Sequence, residues 1–182
     1  MIAVFLADGF EEIEALATVD ILRRADLCVK TVGVTGKICT GSHHMPITCD
    51  MTLEEYKPDQ VNMVVLPGGK AGTARLDQNE TVRAAVMDCA KKGGYVAAIC
   101  AAPSVLGHLG LLKGRRATCY PGFEQELTGA TVEKTPYWID GRIITGRGAG
   151  ATVLFARAIV ACLCGQEKAD EVGKGMMCPD LV

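Results

Sequence analysis

Three things are scarce in this chain: histidine, net charge and long apolar runs. Its histidines are His43, His44 and His108 alone, so chemistry that needs an imidazole has few places to find one. Lysine and arginine total 19 against 21 acidic residues, a formal net charge of -2. With no basic patch and no block of like charge, nucleic acid is not expected as a partner. The longest apolar stretches, near Val96–Leu106 and Ala156–Cys164, are broken by Pro, Ser, Arg or Gly well short of a bilayer span, so no membrane association is expected. The opening apolar run, Ile2–Ala7, is stopped by Asp8 and is too brief for a secretory signal. No repeat, low-complexity tract or linker interrupts the 182 residues, which are expected to form one domain, 1–182, with a core on both faces of a sheet.

Cysteine, by contrast, is plentiful. Nine is an odd count, and Cys28, Cys89, Cys100, Cys162 and Cys164 sit inside apolar segments, which argues for reduced thiols in a cytoplasmic setting. A metal site is not expected: Cys162 and Cys164 are one residue apart in a helical pattern, and no second Cys or His pair accompanies them. Cys49 and Cys119 have polar neighbours and are expected to be exposed thiols.

Along the chain, compact apolar runs at Ile2–Leu6, Cys28–Val34, Val61–Leu66, Tyr95–Ile99 and Arg142–Thr145 predict buried strands. Between them, helices are predicted over Phe10–Ala25, Ala71–Leu76, Thr81–Lys92, Ala101–Leu109 and Gly150–Cys164, the last apolar almost all round and so expected to cover one face centrally. This alternation specifies a parallel sheet covered on both sides, with ligands bound beyond the carboxyl ends of its strands. Gly36–Leu53 departs from it and predicts a small antiparallel excursion. Tyr137–Ile144, with Asp140-Gly141 at its centre, predicts a hairpin.

Cys100 closes the run Tyr95–Ile99 and is followed by Ala101-Ala102-Pro103-Ser104, which predicts a nucleophile at a strand-to-helix elbow. The next helix N-terminus is expected to make that thiol easy to ionise, although a buried structural cysteine is the competing reading. The first loop leads to Glu11, Glu12 and Glu14. The helix dipole accounts for Glu11 and Glu12, whereas Glu14 lies a turn further in and is placed to point back toward the elbow. Leu66-Pro67-Gly68-Gly69 follows another strand; it lacks the spacing of a nucleotide loop, and its paired glycines are suited to present amides, with that of Ala101, as an oxyanion hole. His108 is expected to be an ordinary helix-end residue, and His43 and His44 lie in the polar excursion. A cysteine paired with a carboxylic acid is therefore the more economical arrangement, with desolvation raising the Glu14 pKa so that it can donate to a thiolate and exchange protons with substrate.

Ala7-Asp8-Gly9-Phe10-Glu11-Glu12-Ile13-Glu14, Leu66–Gly69, Ala97-Ala98-Ile99-Cys100-Ala101-Ala102-Pro103 and Thr145-Gly146-Arg147-Gly148 occur in the order found in the ThiJ/PfpI superfamily, and the whole chain resembles its DJ-one-like branch. The resemblance implies a flavodoxin-like three-layer α/β sandwich with a mostly parallel central sheet, usually a homodimer. It implies Cys100 as the reactive cysteine, Glu14 as its hydrogen-bonded acid, and Gly68, Gly69 and Ala101 as surrounding backbone donors. Two positions depart from the best-known members. Tyr120 stands where a histidine is usual near the cysteine, and its hydroxyl can orient a substrate oxygen but not act as a base near neutral pH. Ser42-His43 stands where relatives often carry an arginine at a dimer-side anion site.

By resemblance, the expected activity is that of a glyoxalase III or deglycase on methylglyoxal, glyoxal and their early adducts, with no cofactor, metal or glutathione. A redox sensor or chaperone-like protective protein using the same oxidisable Cys100 is the alternative. A cysteine peptidase is weaker, because such relatives place histidine directly after the nucleophile and this chain has Ala101.

Overall fold

Alternation in the first strand sends Ile2, Val4 and Leu6 to one face of a sheet and Ala3 and Phe5 to the other, and two separate buried cores form on those faces. The computed structural model describes residues 1–178. Its strands are β1 (Ile2–Leu6), β2 (Val29–Gly33), β3 (Ile38–Thr40), β4 (Pro46–Thr48), β5 (Met51–Thr52), β6 (Met63–Leu66), β7 (Tyr95–Ile99), β8 (Arg116–Ala117), β9 (Thr131–Val132), β10 (Tyr137–Asp140) and β11 (Ile143–Gly146). The helices are α1 (Thr18–Arg24), α2 (Lys70–Gln78), α3 (Glu80–Lys91), α4 (Pro103–His108), α5 (Thr152–Cys164) and α6 (Gln166–Gly175).

The main sheet runs β10-β11-β7-β6-β1-β2-β5, and every pairing in it is parallel except β10 with β11. Its five long parallel strands thus have the order 2-1-3-4-5 of flavodoxin-like folds, which puts the reversal of winding between β1 and β6. The α/β expectation therefore holds. A crevice opens at that switch point, where the loops after β1, β6 and β7 meet. These are the loops that carry Glu14, Gly68-Gly69 and Cys100.

The predicted Tyr137–Ile144 hairpin is present, turning at Gly141 with φ +61. The Gly36–Leu53 excursion is antiparallel as β3 and β4, but Met51–Thr52 continues past it to join the edge of the main sheet alongside β2. Helix α5 packs on α1 and α6 and buries Phe155, Ala156, Ile159 and Val160, consistent with a central covering role. Helix α6 and the short parallel pair β8–β9 are elements that periodicity did not reveal. No helix among the described residues is long and apolar enough to cross a membrane.

Candidate active site

Cys100 has φ +66, a left-handed backbone that a side chain adopts at a cost of about 1–3 kcal/mol. Two neighbours hold it there. The Cys100 amide donates to the Gly146 carbonyl at 2.9 Å, which ties the elbow to β11, and its own carbonyl accepts from the Tyr120 amide at 2.8 Å. The strand therefore cannot simply run on, and the sulfur is turned out at the sheet's carboxyl edge, where it is partly accessible.

Glu14 reaches the same place from the other side of the switch point. It lies on a single π-helical turn, Ile13–Ala17, that precedes α1, a widened turn of a kind frequently found at functional sites. Its side chain is only 1% exposed. One oxygen, Oε2, accepts from the Gly68 amide at 2.8 Å, while Oε1 has no hydrogen bond of ordinary length. The polar groups acting on the carboxyl are the Cys100 thiol and the Gly68 amide, and burial, the larger effect, pushes its pKa up to about 7.

Burial likewise pushes the Cys100 thiol up, and a Glu14 carboxylate beside it adds to this, taking it to about 12. The N–H groups of Gly69 and Ala101, both directed at the sulfur, pull the other way. The expectation of a readily ionised thiol needs correcting accordingly: a thiolate is disfavoured next to an ionised Glu14, and it forms where Glu14 keeps its proton. The two groups titrate as a pair.

Gly68, implied by the resemblance as one of the backbone donors around Cys100, instead donates its amide to Glu14 and orients that side chain. It also has no room for a side chain, since a Cβ would lie 2.5 Å from the Cys100 Cβ and 2.6 Å from Glu14 Oε2. Gly69 has φ +87, which aims its amide inward.

A cleft of about 580 Å³ exposes these groups, lined also by Glu11, Ser42, His43, Lys70 and Tyr120. Tyr120 is half exposed at its mouth. His43 reaches the rim but is committed elsewhere: its Nδ1 lies 3.0 Å from Glu12 Oε2, and its side chain is 66% exposed. Helix dipole alone does not account for Glu12, contrary to the reading from sequence. It is 4% exposed and accepts from the His43 amide at 2.7 Å and the Ser42 hydroxyl at 3.1 Å, clamping the excursion against the site. Burial alone would raise its pKa, but these bonds, led by the His43 ring, overcome it and hold the carboxyl near 2. Gly41 leaves the space that carboxylate fills.

Glu11, Glu12 and His43 bring ligand atoms within 4.8 Å of one another, but both Glu12 oxygens are already taken by His43 and Ser42. His108 ends α4 away from the cleft, with Nδ1 2.7 Å from Asp77 and Nε2 2.8 Å from Glu126. Cys49 and Cys119 are each 2% exposed, against expectation, whereas Cys28 and Cys164 are exposed.

Known proteins share this arrangement of chain and fold. The model of the DJ-1/PfpI family matches residues 1–162. Protein dj-1beta of Drosophila melanogaster is 36% identical over 96% of this chain and 95% of its own length, and a deglycase of Pyrococcus abyssi is 31% identical over 79% and 83%. The chain spans 44% of a longer relative, the DJ-1 homolog A of Arabidopsis thaliana. Among solved structures, a cysteine-to-alanine mutant of a DJ-1 superfamily protein from Salmonella typhimurium superposes with a TM-score of 0.92 at 36% identity, covering 98% of both chains. An oxidized DJ-1 of Toxoplasma gondii gives 0.93 at 27% identity over 97% of both. With the family match running from the first strand into α5 and the fold shared end to end, this chain belongs to the DJ-1/PfpI family.

Proposed function

We propose that the protein is a cofactor-independent enzyme of the glyoxalase and deglycase type, acting on methylglyoxal, glyoxal and their early adducts through Cys100 and Glu14. The observation that carries this reading is a cysteine held at φ +66 beside a buried carboxyl, with two amides directed at its sulfur. The deglycase name of the Pyrococcus relative supports the same class.

The reaction follows from the proton count of the pair. Cys100 thiolate attacks the aldehyde carbon of methylglyoxal, forming a C–S bond as the carbonyl electrons move to oxygen. The Gly69 and Ala101 amides stabilise that oxyanion, and protonated Glu14 delivers its proton to give a hemithioacetal. As a carboxylate, Glu14 then removes the former aldehyde hydrogen as a proton and returns it to the neighbouring carbon, while the hydroxyl proton passes from the first oxygen to the second, which converts the hemithioacetal to a lactoyl thioester. Water cleaves the C–S bond, releasing lactate and restoring thiolate and protonated acid. Carbon is oxidised at one position and reduced at the next, so no external redox partner is needed. Tyr120 is placed to orient a substrate oxygen, while His43 acts through the Glu12 clamp and the rim.

The test is lactate formation from methylglyoxal by the reduced protein without glutathione or metal. Cys100→Ser should abolish it, and Glu14→Gln should lower kcat/KM by roughly 10²–10⁴-fold, the usual worth of a positioned general acid and base. An inactive parent with its thiol reduced would overturn the reading.

A second reading, a redox sensor, is favoured by one observation: Glu14 Oε1 is buried without a partner, and a protonated carboxyl there suits an oxidised Cys100 oxygen. Stoichiometric oxidation by peroxide without dicarbonyl turnover would support it. We further propose a homodimer in the cytoplasm. Ile13, Ile38 and Met45, all more than half exposed, suit its interface.

A further inference from the structure

The cleft does not end at the thiol. Tyr120 and Ala149 line it and also line a second hollow of about 550 Å³, walled by Pro121, Pro136 and Leu154 and carrying one charged residue, Arg147. Arg147 sits on the segment that follows β11, its amide fixed to the Pro136 carbonyl at 2.9 Å, and it is partly buried.

Its guanidinium is an exception in this molecule. Every other arginine among the described residues is engaged: Arg83 meets Asp77, Arg116 meets Glu133, Arg157 meets Asp170, Arg75 reaches the Asp8 carbonyl, and Arg142 lies over the Tyr95 ring. Arg23, Arg24 and Arg115 make ion pairs as well. Arg147 makes no side-chain hydrogen bond or ion pair with the described residues. The acid within its field, Glu124, instead accepts from the Gly122 amide at 2.6 Å. A partly desolvated guanidinium that makes no hydrogen bond or ion pair with the described residues, in an apolar hollow sharing Tyr120 and Ala149 with the cleft of the nucleophile, is suited to a planar anion. The thiol end differs in carrying charges of both signs, Glu11 and Glu14 with Lys70 and His43.

We infer that Arg147 is a specificity residue whose guanidinium takes a carboxylate on the substrate while Cys100 takes its aldehyde carbon, so that the preferred substrate is an α-oxoaldehyde bearing a carboxylate on a short methylene chain. The inference rests on the activity proposed above. It goes further in naming an anionic substrate class over neutral methylglyoxal. A single fork of donors without a second cation in the hollow matches a carboxylate rather than a phosphate dianion. The apolar walls formed by Pro121, Pro136 and Leu154 accommodate the methylenes.

Two measurements separate this inference from the reading beneath it. The first is the rate of Cys100 alkylation by maleimidopropionate relative to N-ethylmaleimide, followed on the Cys100 peptide by mass spectrometry, which needs no turnover. The second is kcat/KM for dioxopentanoate, an α-oxoaldehyde ending in a carboxylate, relative to methylglyoxal. In both, the anionic-to-neutral ratio should fall roughly tenfold or more in Arg147→Met, the scale of a lost hydrogen bond to a charged group, and be partly kept in Arg147→Lys. It should also decline with added salt in the parent. A ratio unmoved by Arg147→Met, or one that falls in Lys70→Met instead, overturns the inference. If neither dicarbonyl is consumed but the alkylation ratio depends on Arg147, the anion subsite stands and the enzymatic reading fails. If both are consumed with a ratio indifferent to Arg147, the reading stands and the subsite fails.

Discussion

One methyl group at Gly68 tests the construction of the site. A Cβ there would lie 2.5 Å from the Cys100 Cβ, 2.6 Å from Glu14 Oε2 and 2.9 Å from the Ile99 carbonyl oxygen. Nonbonded carbons settle near 3.5–4.0 Å, so Gly68→Ala must push the cysteine and the acid apart by roughly 1 Å. The backbone at Gly68 lies outside the left-handed region, so the harm is steric and local. Overpacking of this size costs about 1–3 kcal/mol of stability, and about 1 Å of misplacement costs on the order of 10²-fold in reaction rate. The assay is the second-order rate of Cys100 alkylation by iodoacetamide, read on its own peptide, alongside urea denaturation. Gly175→Ala is the control, since a Cβ there meets nothing within 4 Å at the end of α6. A Gly68→Ala protein that alkylates at the parent rate would refute the claim that Gly68 spaces Cys100 from Glu14.

The Glu12 clamp makes stability depend on acid in a defined window. Its pKa is depressed from the ordinary 4.5 to about 2, so it contributes stability above 4.5 that is lost as pH falls toward 2. Glu12→Gln should therefore cost about 1–2 kcal/mol near neutral pH, screening by solvent at the open His43 side included, and the penalty measured by urea denaturation should shrink through that window. His43, whose pKa is raised chiefly by the Glu12 hydrogen bond, should titrate lower in the same variant by NMR. In the proposed homodimer, Ile13→Asp at the exposed apolar patch should shift the sedimentation of the protein toward the monomer, and unchanged sedimentation would overturn that placement of the interface.

The parallel sheet was legible because its strands are short apolar runs between helical patterns, and Cys100 because such a run ends on a nucleophile flanked by alanines and a proline. Glu14 was set apart from Glu11 and Glu12 by lying a turn further into the helix, and the resemblance strengthened that choice. The role of Glu12 was hidden because its partners, Ser42 and His43, lie some thirty positions away in sequence. Helical spacing also cannot announce a π turn, which alters the direction of side chains without altering composition. Cys49 illustrates a signal that was present but outweighed: a cysteine between Thr48 and Asp50 fits the inward position of an alternating strand, and the hydrogen bond its amide donates to the Lys37 carbonyl extends the β3–β4 ladder, with the thiol buried. Arg147 was visible within Thr145–Gly148, but nothing in the sequence could show that it makes no side-chain pair with the described residues while the other arginines do.

The account turns on one proton shared by Cys100 and Glu14. Thiolate absorbance of the reduced protein, taken as the difference from Cys100→Ser, should be recorded across pH together with the infrared carbonyl band of a protonated carboxyl, taken as the difference from Glu14→Gln. Any thiolate present near neutral pH should be accompanied by the protonated Glu14 band, and the thiolate should form at lower pH when Glu14 becomes Gln, since the carboxylate then no longer adds to the upward shift that burial imposes on the thiol. A thiolate that forms near neutral pH without a protonated carboxyl band, or one whose titration Glu14→Gln leaves unmoved, would contradict this coupling.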